Sequence, residues 1–229
     1  MKRIRKITGL FTAALLTIST LTGCSSQDTE SVSDTANKFL AVVADDSQED
    51  ITTYATTEVA TGEFVQFFDA DFQKEQFLAG SDENALTDTT KQKIEEFYQL
   101  FSDMIQSYSI SDVEITKGEP YSATCVATIN TSFDVDITSS EATKALIKEE
   151  TEKYNTDNAE EIAALSEEDP DAAQNKIFND MTMLVLDIYE AEIDKSEPMT
   201  YVMVLTLEKN SETDSWIVTK VENYDDSNK

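Results

Sequence analysis

Between residues 121 and 137 every second side chain is apolar or small: Tyr121, Ala123, Cys125, Ala127, Ile129, Thr131, Phe133, Val135 and Ile137. Successive side chains of an extended chain point to opposite faces, so these residues share one face while mostly Ser, Thr, Asn and Asp line the other. The pattern predicts a long antiparallel strand with one buried and one wetted side. Small residues in the first half of the buried face leave room for a helix to lie close against them.

The segments around it change period. Val32, Ala36, Phe39, Leu40 and Val43 fall on one helical face and predict an amphipathic helix over residues 32–45. Asp45-Asp46-Ser47 interrupts it, and Ser47 is an expected cap for a short helix carrying Ile51, Tyr54 and Ala55. Phe64, Phe67, Phe68, Phe72 and Phe77 form an aromatic helical segment that ends before the break at Gly80-Ser81-Asp82. Ile94, Phe97, Tyr98, Phe101, Met104, Ile105 and Tyr108 make a sustained stripe, predicting a helix over 89–107. Tyr108, Ile110, Val113 and Ile115 then alternate, with a slip of phase near Ser111-Asp112 that reads as a bulge, and Lys117-Gly118-Glu119-Pro120 turns the chain.

Residues 139–195 return to helix, capped by Ser139 or Ser140 and divided at Pro170, which suits the first turn of a second helix. That helix carries Ile177, Phe178, Met181, Leu184, Val185, Ile188 and Tyr189, while the first half is weaker and very acidic, the pattern of a hairpin arm. A closing hairpin follows: alternation over 199–207, with Val202 and Val204 hinting at cover on both faces, a turn over 210–214 and a return strand over 215–221. The order predicts an α+β fold: N-terminal helices packed on a curved antiparallel sheet of about four strands, with a helical insertion between the two strand pairs.

Charge narrows the partners. The chain has 17 Lys and Arg against 46 Asp and Glu. Four of the bases (Lys2, Arg3, Arg5, Lys6) lie in the first 23 residues, which hold no acid, so from Cys24 onward 13 bases face 46 acids, a net of −33. Such a surface repels phosphate backbones, and no nucleic-acid partner is expected. Acidity of this kind serves solubility in a cation-rich wall or medium, or attraction of a cationic partner. Of the two cysteines, Cys125 sits in the buried strand pattern and reads as a small hydrophobe.

The N-terminus reads Met-Lys-Arg-Ile-Arg-Lys, an apolar run over residues 7–21, and Thr22-Gly23-Cys24. A basic start and a short apolar run make a secretion signal rather than a membrane span. Leu21-Thr22-Gly23-Cys24 resembles the bacterial lipobox. The resemblance implies a diacylglycerol on the Cys24 thiol, cleavage just before Cys24, and Leu21, Thr22 and Gly23 as recognition residues. It divides the chain into a signal peptide (1–23), a lipidated polar tether (24–31), a single α+β domain (32–224, with the insertion 139–195) and a frayed tail (225–229). Localisation at the outer face of the cell membrane, facing the wall or exterior, follows from it.

The order of elements is similar to the nuclear-transport-factor-2-like superfamily, in which a cone of sheet wraps a long N-terminal helix. Phe39-Leu40 resembles the early helix and Trp216-Ile217-Val218 the terminal strand of small lipoproteins of that fold; the helical stretch between Ile137 and Met199 departs from the pattern.

Little chemistry is legible. Histidine is absent, so neither a Ser-His-Asp nor a Cys-His nucleophile can form within the chain, nor a His-containing zinc site. The five glycines make no phosphate loop. Carboxylate pairs occur at Asp45/Asp46, Asp69/Asp71 and Asp134/Asp136; on a strand the last would share a face and suit a hard cation, although acids this abundant pair by chance on any solvated face. The aromatic run over 64–77 reads as core or as a pocket wall. No catalytic residue, metal ligand or cofactor is assigned. The expectation is a membrane-anchored, non-enzymatic binding or scaffold module with a protein, peptide or wall-component partner, against two alternatives: a carboxylate-based extracellular enzyme using Tyr and Asp, and a cation-binding module.

Overall fold

The computed structural model describes residues 25–45, 47–79 and 82–224. Four strands, β1 (Ile105–Thr116), β2 (Ser122–Thr131), β3 (Met199–Lys209) and β4 (Trp216–Asn223), form one antiparallel sheet in the order β1-β2-β3-β4. Sequential order follows from short connections within each pair. The helices α6 (Glu141–Asp157), α7 (Ala159–Glu168) and α8 (Pro170–Ile193) join β2 to β3. The fold is the expected α+β arrangement, with the helical insertion between the strand pairs.

The N-terminal helix α1 (Ser25–Val43) contacts both outer strands, β1 and β4, and so crosses the apolar face of the sheet. Val32, Ala36, Phe39 and Leu40 are essentially inaccessible on its inner side, as are Ala123, Cys125 and Ala127 on β2. The outer strands approach the helix most closely, and the small β2 residues lie in the core between them. Burying a side chain such as Phe39 or Leu40 contributes on the order of 2 kcal/mol. The helix starts earlier than the sequence pattern predicts. Residues 25–31, read as a tether, are helical because Asp28 in the first turn is tied to the sheet by the Tyr121 hydroxyl (2.7 Å) and Lys209 (3.2 Å), a tertiary restraint without local periodicity.

The 121–137 alternation overstates its strand. β2 ends at Thr131, which pairs with Ile105 on one side and Met199 on the other; one further bond, from the Ser132 amide to the Met104 carbonyl (2.9 Å), closes the ladder. A strand without partners on either side leaves its backbone unpaired, and the chain turns instead into a 3-10 helix, Val135–Ser139, whose cap Asp134 accepts from the Asp136 amide. Phe133 and Val135 remain buried there. The expectation that Asp134 and Asp136 lie on one strand face is therefore wrong.

β1 and β4 each carry a slip of register. Asp112 has φ 50 and sits where Ser111 and Glu114 of β1 pair with Val126 and Thr124, so the expected bulge is present. In β4 an extra residue between the partners of Thr206 and Leu207 rephases the strand, turning Val221 inward after Val218 and keeping Glu222 exposed. Val202 and Val204 are half-buried, and no helix covers that face closely. The outer edge of β4 is partly paired: Thr56 donates to the Val218 carbonyl (2.9 Å) and Val218 to the Tyr54 carbonyl (2.8 Å).

The helix expected over 89–107 is α5 (Asp88–Ser102) followed by β1, since Ile105 pairs with Thr131 and joins the sheet. Asp50, not Ser47, caps the short helix Ile51–Thr53. The acidic segment after β2 is not a free arm. Its α6 and α7 pack on α8, where Tyr154 donates to Asp180 (2.6 Å) and Lys176 bridges Asp180 (2.8 Å) and Glu161 (3.5 Å). Desolvation and the Asp180 carboxylate push the Tyr154 pKa up to about 12. α8 docks in turn on α5: Phe97 and Tyr189 stack at 5.8 Å, and Lys93 bridges Asp187 (2.8 Å) and Glu190 (2.5 Å).

The buried Asn179 of α8 seals this junction, accepting from the Thr87 amide (2.8 Å) and donating to the carbonyls of Ala85 (2.7 Å) and Asn175 (2.7 Å). Asn179→Ala strands the Thr87 and Ala85 groups and is expected to cost about 2 kcal/mol, read as a fall in the urea unfolding midpoint. Cys125 is 1% exposed and burial pushes its thiol up to about 12. In a Cys24→Ser chain it should resist a thiol reagent until denaturant is added, as an inert core cysteine must.

Candidate functional site

Two short helices, α2 (Thr57–Ala60) and α3 (Glu63–Phe68), meet at Gly62 and set one wall of a pocket of about 530 Å³. Thr56 caps α2 by accepting from the Val59 amide, and Gly62 takes the cap position of α3. A Cβ on Gly62 would lie 2.9 Å from the Glu58 carbonyl oxygen, so this close turn of α3 against α2 admits only glycine without movement. The opposite wall is the end of the β3–β4 hairpin remote from its turn, with Tyr201, Met203, Thr219, Lys220, Val221 and Asn223, and Asp136 of the 3-10 helix closes one side.

The interior is mostly apolar. Phe64 and Phe67 are half-buried and Phe68 is buried; Phe64 lies 6.1 Å from Phe39 and 5.4 Å from Phe68, and Phe67 lies 5.2 Å from Phe68. The aromatic run is thus core and pocket wall together: Phe68 and Phe39 fill the interior while Phe64 and Phe67 present surface to the cavity. Glu58 and Glu63 stand exposed at the rim. The Tyr201 hydroxyl accepts from the Val135 amide and donates to Asp134, both at 3.2 Å. Burial and the Asp134 charge push its pKa far up, so at neutral pH it acts as a hydrogen-bond donor.

The other carboxylate pairs go elsewhere. Asp69 caps α4 (Ala70–Leu78) by accepting from the Phe72 amide at 2.9 Å. With Asp71 and Asp45 it lines a smaller hollow of about 300 Å³ near the end of α1. Among the described residues no group of three acidic or cysteine side chains is close enough to hold a metal ion. Asp46, the lipobox residues Leu21, Thr22, Gly23 and Cys24, and the tail 225–229 lie outside the described residues.

Compared with known protein families, curated proteins and solved structures, the chain matches none. The pocket therefore stands on its own chemistry.

At the opposite end of α1 a second cluster serves structure. Lys209 bridges Asp28 (3.2 Å) and Asp214 (3.0 Å) while its ammonium lies 5.7 Å from the Tyr121 ring centre and 5.9 Å from that of Trp216. The two rings are 5.3 Å apart, and the indole Nε1 is buried without a hydrogen-bond partner. Sequence reasoning picked out Trp216 but missed Asp28, Tyr121 and Lys209 as a unit, for they are 181 residues apart at the extremes and it takes both the pairing of β2 with β3 and the crossing of α1 to unite them.

The Tyr121 hydrogen bond, against some desolvation, holds the Asp28 carboxyl below its ordinary 3.8, with Lys209 adding to it. A depressed folded-state pKa contributes stability that is present above the unfolded value and lost as the pH falls through the folded one. The stability difference between the wild-type chain and Asp28→Asn should be constant above about pH 5 and shrink below 3.8, measured by urea titration at each pH.

Proposed function

We propose that this chain is a lipid-anchored extracellular binding module, held on the outer face of the cell membrane through Cys24 and working by non-covalent capture at the pocket between α3 and the β3–β4 hairpin. The observation that carries the binding reading is the pocket itself: about 530 Å³, aromatic within and polar at the rim, inside the range of roughly 300–1,000 Å³ typical of ligand sites. The anchor reading is supported by the basic start, the apolar run and Leu21-Thr22-Gly23-Cys24. Among the described residues no helix is long and apolar enough to cross a membrane, and two or more acyl chains would supply stable attachment.

Anchor and pocket are compatible in space. Ser25 is already helical, and the first turn of α1 is clamped at Asp28; lipid on Cys24 would bring the Tyr121–Trp216 end of the domain to the membrane. Phe39, which packs against Phe64, lies eleven residues further along α1, or roughly 16 Å at the rise of an α-helix, so the pocket lies away from the end of the helix that would carry the anchor. The helix-over-sheet packing and Trp216 at the start of β4 also support kinship with nuclear-transport-factor-2-like lipoproteins. A carboxylate-based enzyme is the second reading; its support is the Tyr201–Asp134 pair beside the cavity.

Both halves of the reading are open to one preparation. Protein recovered from its source membranes should carry a diacylglyceryl N-terminal Cys24 by mass spectrometry, and Cys24→Ser should stay uncleaved and partition into the aqueous phase of a detergent extraction. Native mass spectrometry should show a small molecule retained by the wild-type protein and lost from Met203→Trp, which fills the cavity. Identical masses with and without the plug would count against the pocket as the binding seat.

A further inference from the structure

Resting on the pocket as the binding seat, we propose that its ligand is a small amphipathic cation, an apolar body bearing an ammonium group. The cavity offers such a molecule two kinds of wall at once. Val59, Phe64, Phe67, Met203 and Val221 supply apolar and aromatic surface, and Glu58, Glu63 and Asp136 supply three carboxylates. Elsewhere many carboxylates are already used: Asp50, Asp69, Asp82, Asp134 and Asp169 cap helices, and Asp28, Asp180, Asp187 and Glu190 hold lysines. The side chains of Glu58, Glu63 and Asp136 accept no hydrogen bond and form no ion pair with any described residue.

The one lysine in the lining does not offset them. Lys220 pairs with Glu222, outside the lining, at 2.8 Å. An anion entering the cavity meets three carboxylates that no lysine among the described residues pairs with, and a neutral apolar molecule gains nothing from them. A cation gains from the carboxylates and also from the negative faces of the half-buried Phe64 and Phe67 rings. The net charge of −33 from Cys24 onward draws the same ligand in and repels anions before contact.

The test compares phenylbutylammonium, phenylbutanol and phenylbutyrate, which share one apolar body and differ in charge. They are titrated into the lipidated chain in neutral-lipid nanodiscs while the isotope-labelled Met203 methyl signal is followed by NMR. The ammonium should shift that signal saturably, with an affinity about tenfold above the alcohol, and the carboxylate should bind most weakly. Glu63→Gln with Asp136→Asn should bring the ammonium towards the alcohol while leaving the alcohol unchanged; neither side chain supports the fold by a hydrogen bond. Equal binding of alcohol and ammonium, or tighter binding of the carboxylate, overturns the cation preference and leaves the binding seat standing. No saturable shift with any of the three overturns both.

Discussion

The structure depends on the cover that α1 gives the apolar face of the sheet as it crosses from β1 to β4. Four strands with one wet face can be stable only if something apolar covers the other, and here a single helix does most of that covering. Val32, Ala36, Phe39 and Leu40 are packed to near-zero exposure in one core with the small Ala123, Cys125 and Ala127 of β2. Larger residues at those β2 positions would overfill that core, because interiors at crystal-like density have no slack to absorb them.

Everything else is arranged around the two ends of that helix. At its start Asp28, Tyr121, Lys209 and Trp216 lock the first turn to the sheet, a polar latch in which one ammonium serves two carboxylates and two rings. At its far end Phe39 passes the core on to Phe64, where α2 and α3 fold over the open end of the hairpin and leave a cavity instead of closing it. At one end the charged groups are paired, and at the other the carboxylates of Glu58, Glu63 and Asp136 are not, among the described residues. That asymmetry is why the far end reads as a binding seat and the near end as a fastening.

The insertion extends the same logic sideways. α8 is half core and half platform: Leu186 and Ile193 join the main cluster, whereas Asp180 and Lys176 on the same helix hold α6 and α7 outside it. The strong acidity of α6 and α7 is therefore tolerated as a solvated outer layer, with lysines spaced three or four residues from glutamates along α6 at 3.0–3.9 Å. Exposed pairs of this kind contribute little individually; the buried Asn179 and the Phe97–Tyr189 stack carry the attachment.

The local rules were readable in the chain. Alternation marked the strands, three-four spacing marked α1, α5 and α8, Pro170 marked the start of α8, and the phase slip at Ser111-Asp112 marked the bulge, because each depends on neighbours within a few residues. The ending of β2 at Thr131 was not readable, since the alternation runs on to Ile137 and only the lengths of β1 and β3 stop it. The early start of α1 and the latch at Asp28 were equally hidden, as their partners lie on strands distant in sequence. The pocket was half visible: periodicity placed the phenylalanines on helices, but whether they close on one another or leave a cavity depends on where the β3–β4 hairpin ends. Sequence by itself determined the elements and the buried faces; tertiary structure decided which carboxylates are spent and which remain free, because that depends on distance in space and not along the chain.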